Sequence, residues 1–169
     1  SRYFFALQGS GSGVQNSLIK SDDESLNFGE IPNDESVVKL VTFDKSKLPD
    51  GDLFITVNCI VALHFATQLQ YAQGLSTFGL GELENTTIER FIATLKTPIA
   101  NISDGNGGWV NNMCLNVSGT FNKASPNDLS IYFQNFSGSV ISGGSLTLKN
   151  LVIIPLTNPT SLNGQTVFT

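Results

Sequence analysis

Residues 53–65 read LFITVNCIVALHF, and this stretch decides the fold class. In a β-strand its alternating side chains fall on two faces. One face would carry an unbroken apolar row, Leu53, Ile55, Val57, Cys59, Val61 and Leu63. The opposite face, from Phe54 to His64, is mixed. Because a helix would spread the apolar row around its whole circumference, the stretch predicts a long strand with one face in a core.

The segments on either side of this strand follow the same pattern of short apolar runs between turn residues. Pro49-Asp50-Gly51 precedes the strand and has the composition of a tight turn. Further strands are predicted at 3–7, 37–43, 109–117, 129–136, 140–141 and 146–156, and 9–13 (GSGSG) is predicted to lack regular structure. About seven to nine strands without amphipathic helices indicate an all-β protein, an antiparallel jelly-roll sandwich.

Residues 85–96 allow two interpretations. Ile88, Phe91, Ile92 and Leu95 have helical spacing, and the run from Thr86 to Glu89 resembles a capping box. The β-branched content and the following Thr97-Pro98 step fit a strand equally well. One short helix around 85–96 therefore remains open within the all-β prediction.

The composition excludes several function classes. Charged residues make up 14% of the 169 residues, hydrophobic residues 40%, and the net charge is −5. Nucleic acid and anionic membranes are poor partners because no two basic residues are adjacent. The longest apolar runs are far shorter than the roughly 20 residues of a membrane span. We expect a single domain over residues 1–169, forming the C-terminal head of a longer chain.

No catalytic, cofactor or metal motif is visible, and we predict a protein that is not an enzyme. His64 is the only histidine, and its apolar neighbours favour a packed or interface role. The run from Asp104 to Gly108 only superficially resembles a calcium loop, since Leu115 stands where an EF-hand needs a bidentate Glu. A glycosidase that uses two of the acids ranks last among the alternatives.

The cysteines and the glycosylation sequons do not by themselves indicate secretion. Cys59 and Cys114 lie in apolar, strand-like segments, where small buried thiols are favoured over a mutual disulfide, although the disulfide stays open. Asn-x-Ser/Thr sequons begin at Asn85, Asn101, Asn116 and Asn135, but a chain this rich in Asn, Ser and Thr produces about that number by chance.

Three segments carry a resemblance to a known family. Leu48-Pro49-Asp50-Gly51-Asp52-Leu53-Phe54-Ile55-Thr56-Val57 resembles the Pro-x-x-Gly-x-aromatic pattern that leads into a core strand of tumour-necrosis-factor-like and complement-head-like jelly rolls. Here Leu53 takes the aromatic position and Phe54 follows it. Tyr3–Leu7 resembles the first strand of that fold, and 144–154 resembles its late strands.

The resemblance implies a homotrimer that binds a partner. Among the proteins with this fold, the chain looks most like the distal head of a vertex spike from a membrane-containing bacteriophage of the tectivirus kind. This resemblance implies attachment to a receptor on the host cell surface, either a protein or a glycan. It also implies contact with other virion vertex proteins through an N-terminal part that precedes Ser1. The implied location is the virion surface, with secretion as the alternative.

Binding surfaces are predicted only coarsely, and no single binding residue is assigned. The candidate loops are 20–36, 73–85, 101–108 and 122–128. Phe54, Ile60, His64 and Tyr132 are candidates for facing a neighbouring subunit, with ordinary core as the competing interpretation. Two other functions stay open: a secreted carbohydrate-binding module that stacks sugars on Trp109 and Tyr71, and a structural capsid or fibre subunit.

Overall fold

A computed structural model of the chain describes residues 2–4, 18–20, 24–70 and 74–156. The elements in chain order are β1 (Arg2–Phe4), β2 (Leu18–Lys20), β3 (Glu24–Phe28), β4 (Val37–Phe43), a 3-10 turn (Lys45–Lys47), β5 (Asp52–Phe65), β6 (Leu75–Glu84), β7 (Thr87–Pro98), β8 (Ile102–Ser103), β9 (Trp109–Asn122), β10 (Asp128–Gln134) and β11 (Gly143–Pro155). No helix among these residues is long and apolar enough to cross a membrane.

The strands form two sheets. The first has the order β1-β4-β10-β6-β7, and the second has the order β2-β11-β5-β9-β8, with β3 pairing beside β2 along the same edge of β11. Among the strands of the described ranges, all pairings are antiparallel except that of β1 with β4.

The path of the chain between the sheets identifies the fold as a jelly roll. From β3 onward the long strands alternate between second and first sheet, except that β6 and β7 form a hairpin within the first. This path produces the four-stranded orders β3-β11-β5-β9 and β4-β10-β6-β7. Two facing four-stranded antiparallel sheets connected in this way define the jelly roll. The predicted fold class is confirmed.

The core lies between the sheets and follows from the alternation in β5. The predicted apolar row, continued by Phe65, is buried, whereas the intervening side chains are half-buried or exposed. The first sheet contributes Phe78 and Phe133, whose ring centroids lie 4.4 Å apart. Full burial of a side chain of this type contributes about 1.5–3 kcal/mol. The two sheets are therefore joined mainly by apolar contact.

The open question at 85–96 resolves as strand, so the helical alternative is wrong. Glu84 pairs with Thr87, which leaves Asn85 and Thr86 as a two-residue hairpin turn. Asn85 has φ 54°, a left-handed conformation that asparagine tolerates. The register of β7 against β6 shifts twice, and these bulges interrupt the alternation. The apolar residues of β7 therefore imitate helical spacing.

Three of the four loop predictions need correction, and the smallest correction is the two-residue strand β8 within 101–108. Residues 20–36 contain β3, an edge strand whose Leu26 and Phe28 pack against the core. Residues 73–85 contain β6, which is buried over most of its length. Its glycines resemble loop residues, but Gly79 lies beneath Tyr132, where an added Cβ would stand 2.3 Å from the phenolic oxygen. Strand pairing thus overrides a local composition typical of loops.

Smaller strand predictions have mixed outcomes. The strand at 3–7 is described only over Arg2–Phe4, and 9–13 lies outside the described residues. Residues 140–141 form no strand; Ile141 makes only an isolated bridge to Ile31. The predictions at 37–43, 109–117, 129–136 and 146–156 correspond to β4, β9, β10 and β11.

Candidate binding site

Sheet pairing brings several polar side chains together at one end of the sandwich. Asp52, which begins β5, pairs with Asn122 at the end of β9, and Glu82 of β6 pairs with Arg90 of β7. These residues border a cleft of about 590 Å³, lined by Asp52, Glu82, Arg90, Thr120, Phe121, Asn122, Ser125 and Leu156. We call it the end cleft.

Glu82 and Arg90 form the polar centre of the end cleft. The Glu82 carboxylate is buried and accepts hydrogen bonds from Ser125 Oγ and Arg90 Nε. Arg90 also donates from Nη2 to the Thr120 carbonyl at 2.5 Å. Burial alone would raise the pKa of Glu82, but the hydrogen bonds from Ser125 and Arg90 and the guanidinium charge hold it below its usual value. Glu82 is therefore a fixed anion that orients Arg90.

The loop between β9 and β10, residues 122–128, is held in place by two lysines. Lys45 Nζ donates to the carbonyls of Ser125 and Asn127, both at 2.8 Å. Lys123 Nζ donates to the Leu48 carbonyl at 2.8 Å and lies 3.0 Å from an Asp50 carboxylate oxygen. Because these contacts tie the loop to the turn before β5, one wall of the cleft is pre-ordered.

The end cleft presents hydrogen-bond donors and acceptors of the kind that contact a polar ligand. A guanidinium carries five N–H donors, and the bonds to Glu82 and Thr120 leave others to face the cleft. Asp52 accepts from Asn122 Nδ2 at 3.1 Å through one carboxylate oxygen, and a carboxylate has a second acceptor oxygen. A glycosidase needs an acid with a raised pKa. The pKa of Glu82 is shifted in the opposite direction.

The structure separates the residues that the sequence suggested for sugar stacking and subunit contact. Trp109 pairs with Phe65 at the end of β5 away from Asp52, and it packs against the core. Tyr71 lies outside the described residues. His64 pairs with Val110 and is exposed, so a packed histidine is wrong and an interface role remains a prediction. Tyr132 is fully buried, which rules out an exposed contact.

Phe54 and Ile60, the other two candidates for subunit contact, are half-buried on the outward face of the second sheet. The core interpretation is therefore wrong for this pair.

The Asp104 loop is closed by its own backbone. The Asp104 carboxylate accepts from the Asn106 amide at 2.7 Å and from the Gly108 amide at 3.0 Å. Within the described ranges, no group of three or more His, Cys, Asp or Glu residues could hold a metal ion.

The two cysteines are not bridged. Cys59 is buried, and burial raises its pKa to about 12. Cys114 is exposed on the neighbouring strand, opposite Ile60. The disulfide alternative is wrong, and so is the expected burial of Cys114, because its side chain lies on the outward face of β9; the burial of Cys59 is confirmed.

Two of the sequon asparagines serve the fold. Asn101 donates to the Thr67 carbonyl and accepts from the Leu69 amide. Asn135 is fully buried and donates to the Ser139 carbonyl at 2.7 Å. These amides are engaged within the protein, in agreement with a composition-driven origin of the sequons.

The sequence did not single out Glu82, Arg90, Asp52 or Asn122. One signal was present: Glu82 is an acid inside the otherwise apolar and glycine-rich stretch 75–83, and a buried carboxylate requires a partner. The loop 122–128, which was a candidate, does border the cleft.

Comparisons with known proteins give little support for an assignment. No protein-family model matches the chain, and no curated protein matches it. Among solved structures, the extra small virus (XSV) VLP of the giant freshwater prawn Macrobrachium rosenbergii aligns with 7% identity and a TM-score of 0.33, over 86% of this chain and 84% of that one.

Infectious bursal disease virus, Gx strain, aligns with 13% identity and a TM-score of 0.30, over 81% of this chain and 34% of that one. This chain thus spans about a third of the second structure's length. Alignments with these TM-scores do not identify a related fold, and the jelly roll is identified from the strand order of this chain.

Proposed function

We propose that this chain is a structural domain of a virus particle and, more specifically, the head of a homotrimeric attachment spike whose end cleft contacts a host-surface receptor. The observation that carries the binding part is the pre-ordered end cleft, in which Glu82 and the Thr120 carbonyl fix the Arg90 guanidinium. The virion part is supported by the jelly-roll strand order, an architecture shared by viral capsid domains and lectins.

Several features favour binding over catalysis. The polar groups of the end cleft are hydrogen-bonded to one another, so they are presented in a fixed geometry at low entropic cost to a ligand. Phe121 and Leu156 add apolar lining, which is typical of ligand sites with a few placed polar groups. A rigid sandwich that displays a site at its loop end suits recognition.

The virion role is tested by protein mass spectrometry of purified particles whose genome encodes this chain. We expect peptides of the chain in intact, nuclease-treated particles. Antibodies raised against the folded domain should label the outside of those particles in electron micrographs. Absence of the chain from the particles would overturn the virion role, and labelling only of disrupted particles would overturn a spike.

The receptor-binding role is tested by competition. The purified domain is added to host cells before the particles, and the rate of particle adsorption is measured. We expect the wild-type domain to slow adsorption. The Arg90→Lys and Asp52→Asn variants should reach the same inhibition only at protein concentrations at least about tenfold higher, because each loses one good polar contact to the receptor. Arg90→Lys keeps the charge but loses the fork of donors.

Glu30→Gln is the matched control, because Glu30 is an exposed acid near the opposite end of the sandwich. It should compete as well as wild type. A domain that never competes, or cleft variants that compete as well as wild type, would overturn the receptor-binding role.

A further inference from the structure

The end cleft presents a hydrogen-bonding cation and a hydrogen-bonding anion to the same space. The Arg90 side chain is 44% exposed, and its bonds to Glu82 and the Thr120 carbonyl leave three of its five N–H groups for a ligand. Asp52 is exposed, and the bond from Asn122 Nδ2, at 3.1 Å, engages one of its two carboxylate oxygens. A bound group therefore meets one partner that only donates and another that only accepts.

The buried carboxylate of Glu82 is already engaged within the protein. It accepts from Ser125 Oγ and Arg90 Nε, and the Asn127 side chain gives it a further hydrogen bond. These bonds occupy its acceptor sites and neutralise much of its charge. Recognition of a ligand by charged groups of the cleft therefore depends on Arg90 and Asp52.

The arrangement of charge favours an uncharged ligand. One guanidinium stands against the carboxylates of Glu82 and Asp52, so the ionised side chains that line the cleft sum to −1. Lys45 and Lys123 line a separate depression. An anion bound to Arg90 would be repelled by Asp52, and an ammonium group bound to Asp52 would offer the guanidinium no acceptor. A hydroxyl accepts from one and donates to the other, and no ligand charge leaves water.

The shape of the end cleft suits a small ligand better than the broad surface of a protein. Its volume of about 590 Å³ lies within the roughly 300–1,000 Å³ of small-molecule sites. A protein partner usually buries about 800 Å² on each side. Leu156 borders the cleft and is 37% exposed, so apolar contact is available beside the polar groups. This combination matches a sugar, which carries hydroxyls on a skeleton of C–H groups.

An aromatic ring adjoins the cleft. Phe54 follows Asp52 by two residues and therefore lies on the same outward face of β5. Its cross-strand partner on β9 is Thr120, which lines the cleft. The ring is half-buried, so it is held by its neighbours and still has exposed surface. An exposed aromatic face beside paired donors and acceptors is suited to the C–H side of a sugar ring.

We propose that the end cleft recognises an uncharged saccharide of the host surface. Its hydroxyls accept from Arg90 and donate to Asp52, and its ring packs against Phe54. This inference rests on the proposed attachment role and specifies the chemistry of the receptor, which that role leaves open between protein and glycan.

The measurement is the amount of folded domain that host cells retain in the presence of saccharides released from the same cells. Mild acid hydrolysis releases the saccharides, and an anion exchanger separates them into a neutral and an acidic fraction. We expect the neutral fraction to displace the domain at a sugar concentration at least about tenfold lower than the acidic fraction requires. Retention should change less than about twofold between about 0.1 M and about 1 M salt, because no ion pair with the ligand is screened.

The variant Asp52→Asn separates hydroxyl recognition from ion pairing. The amide keeps the acceptor for Asn122, but it replaces the second oxygen with a donor and removes one negative charge. A saccharide hydroxyl loses its acceptor, so binding should weaken at least about tenfold. An anion at Arg90 would instead bind more tightly. Glu30→Gln is the matched control, because it makes the same change at an exposed acid near the opposite end of the sandwich.

The variant Phe54→Leu tests the ring contact. It keeps an apolar side chain but removes the aromatic face, so binding should weaken about threefold. Phe136→Leu is the matched control, because Phe136 is also half-buried and follows the end of β10 remote from the cleft. Urea unfolding verifies that each variant folds. A loss no greater than that of Phe136→Leu would overturn the ring contact.

Five results would overturn the proposal while the wild-type domain still binds host cells. They are displacement by the acidic fraction alone, displacement by neither fraction, binding that falls steeply with salt, an Asp52→Asn variant that binds at least as well as wild type, and a Glu30→Gln variant that loses as much as Asp52→Asn. Displacement by neither fraction, with binding lost after protease treatment of the cells, would indicate a protein receptor. A wild-type domain that host cells do not retain would overturn the attachment role itself.

Discussion

A close contact between the two sheets predicts a strong coupling between Gly119 and Ile92. Gly119 lies in β9 of the second sheet, and a Cβ added there would stand 2.1 Å from Ile92 Cγ2 in β7 of the first sheet. The two strands are far apart in their hydrogen-bonded order, so this contact crosses the sandwich. Gly119→Ala therefore tests the packing of the sheets directly.

The magnitude follows from two opposing effects. Overpacking a core costs about 1–3 kcal/mol, and a contact this short belongs at the upper end. Replacing glycine by alanine in a strand returns about 0.5–1 kcal/mol of backbone entropy. Gly119→Ala should thus lower the free energy of unfolding by about 2 kcal/mol, a fall in Tm of about 4–8 °C for a chain of this size.

A double-mutant cycle separates the clash from a general effect. Ile92→Ala alone should cost about 2 kcal/mol, because the side chain is only half-buried. It also removes Cγ2, so in the double variant Gly119→Ala should cost almost nothing, which is a coupling of about 2 kcal/mol. Ile92→Val is the matched control: it shortens the side chain but keeps Cγ2, so its effect should simply add.

The assay is equilibrium urea unfolding followed by tryptophan fluorescence. Trp109 is the only tryptophan, and it packs partly buried against the core. The midpoint should shift without a change in slope, and protein concentration is held constant in case of self-association. Additive losses in the Gly119→Ala, Ile92→Ala double variant would refute the proposed contact. So would a Gly119→Ala variant as stable as wild type.

Three further predictions concern single side chains. The pKa of Glu82 lies below its usual 4.5, because the hydrogen bonds and the guanidinium charge outweigh the effect of burial. Ionised Glu82 therefore stabilises the folded protein above the pKa that it has in the unfolded chain, and this stabilisation is lost as the pH falls through its pKa in the folded protein. Tm should thus drop more steeply from about pH 5 to pH 3 in wild type than in Glu82→Gln, and parallel curves would contradict this. Tyr132→Phe removes the hydroxyl 3.3 Å from Thr94 Oγ1 and should lower the free energy of unfolding by about 1 kcal/mol. Tyr132→Ala also removes the ring and should lower it by about 3–5 kcal/mol. Equal losses of stability in thermal unfolding would contradict the packing of the ring. Cys59, with a pKa raised to about 12 by burial, should react with the thiol reagent DTNB in a Cys114→Ser variant only on unfolding, and rapid native modification would disprove its burial.

Local pattern was sufficient for the long strand and the fold class. The alternation of residues 53–65 is confirmed at every position, because strand geometry fixes side-chain direction from one residue to the next. The turn before β5 and the loop 122–128 were also visible, since Gly, Pro, Asp and Asn act on their own backbone.

Local pattern failed where pairing between strands decides the outcome. Residues 85–96 looked helical because two bulges shift the alternation, and a bulge exists only relative to the partner strand. Residues 75–84 resembled a loop because of their glycines, which instead accommodate the Tyr132 ring from the neighbouring β10.

By itself, the sequence determined that this is an all-β chain built around the β5 strand, with polar loops and no visible catalytic motif. The end cleft was decided by tertiary structure. Glu82 meets Ser125 across 43 residues, and Asp52 meets Asn122 through sheet pairing. Such contacts depend on strand order and register, which arise when two sheets bury a shared core, and no short window of sequence contains that information.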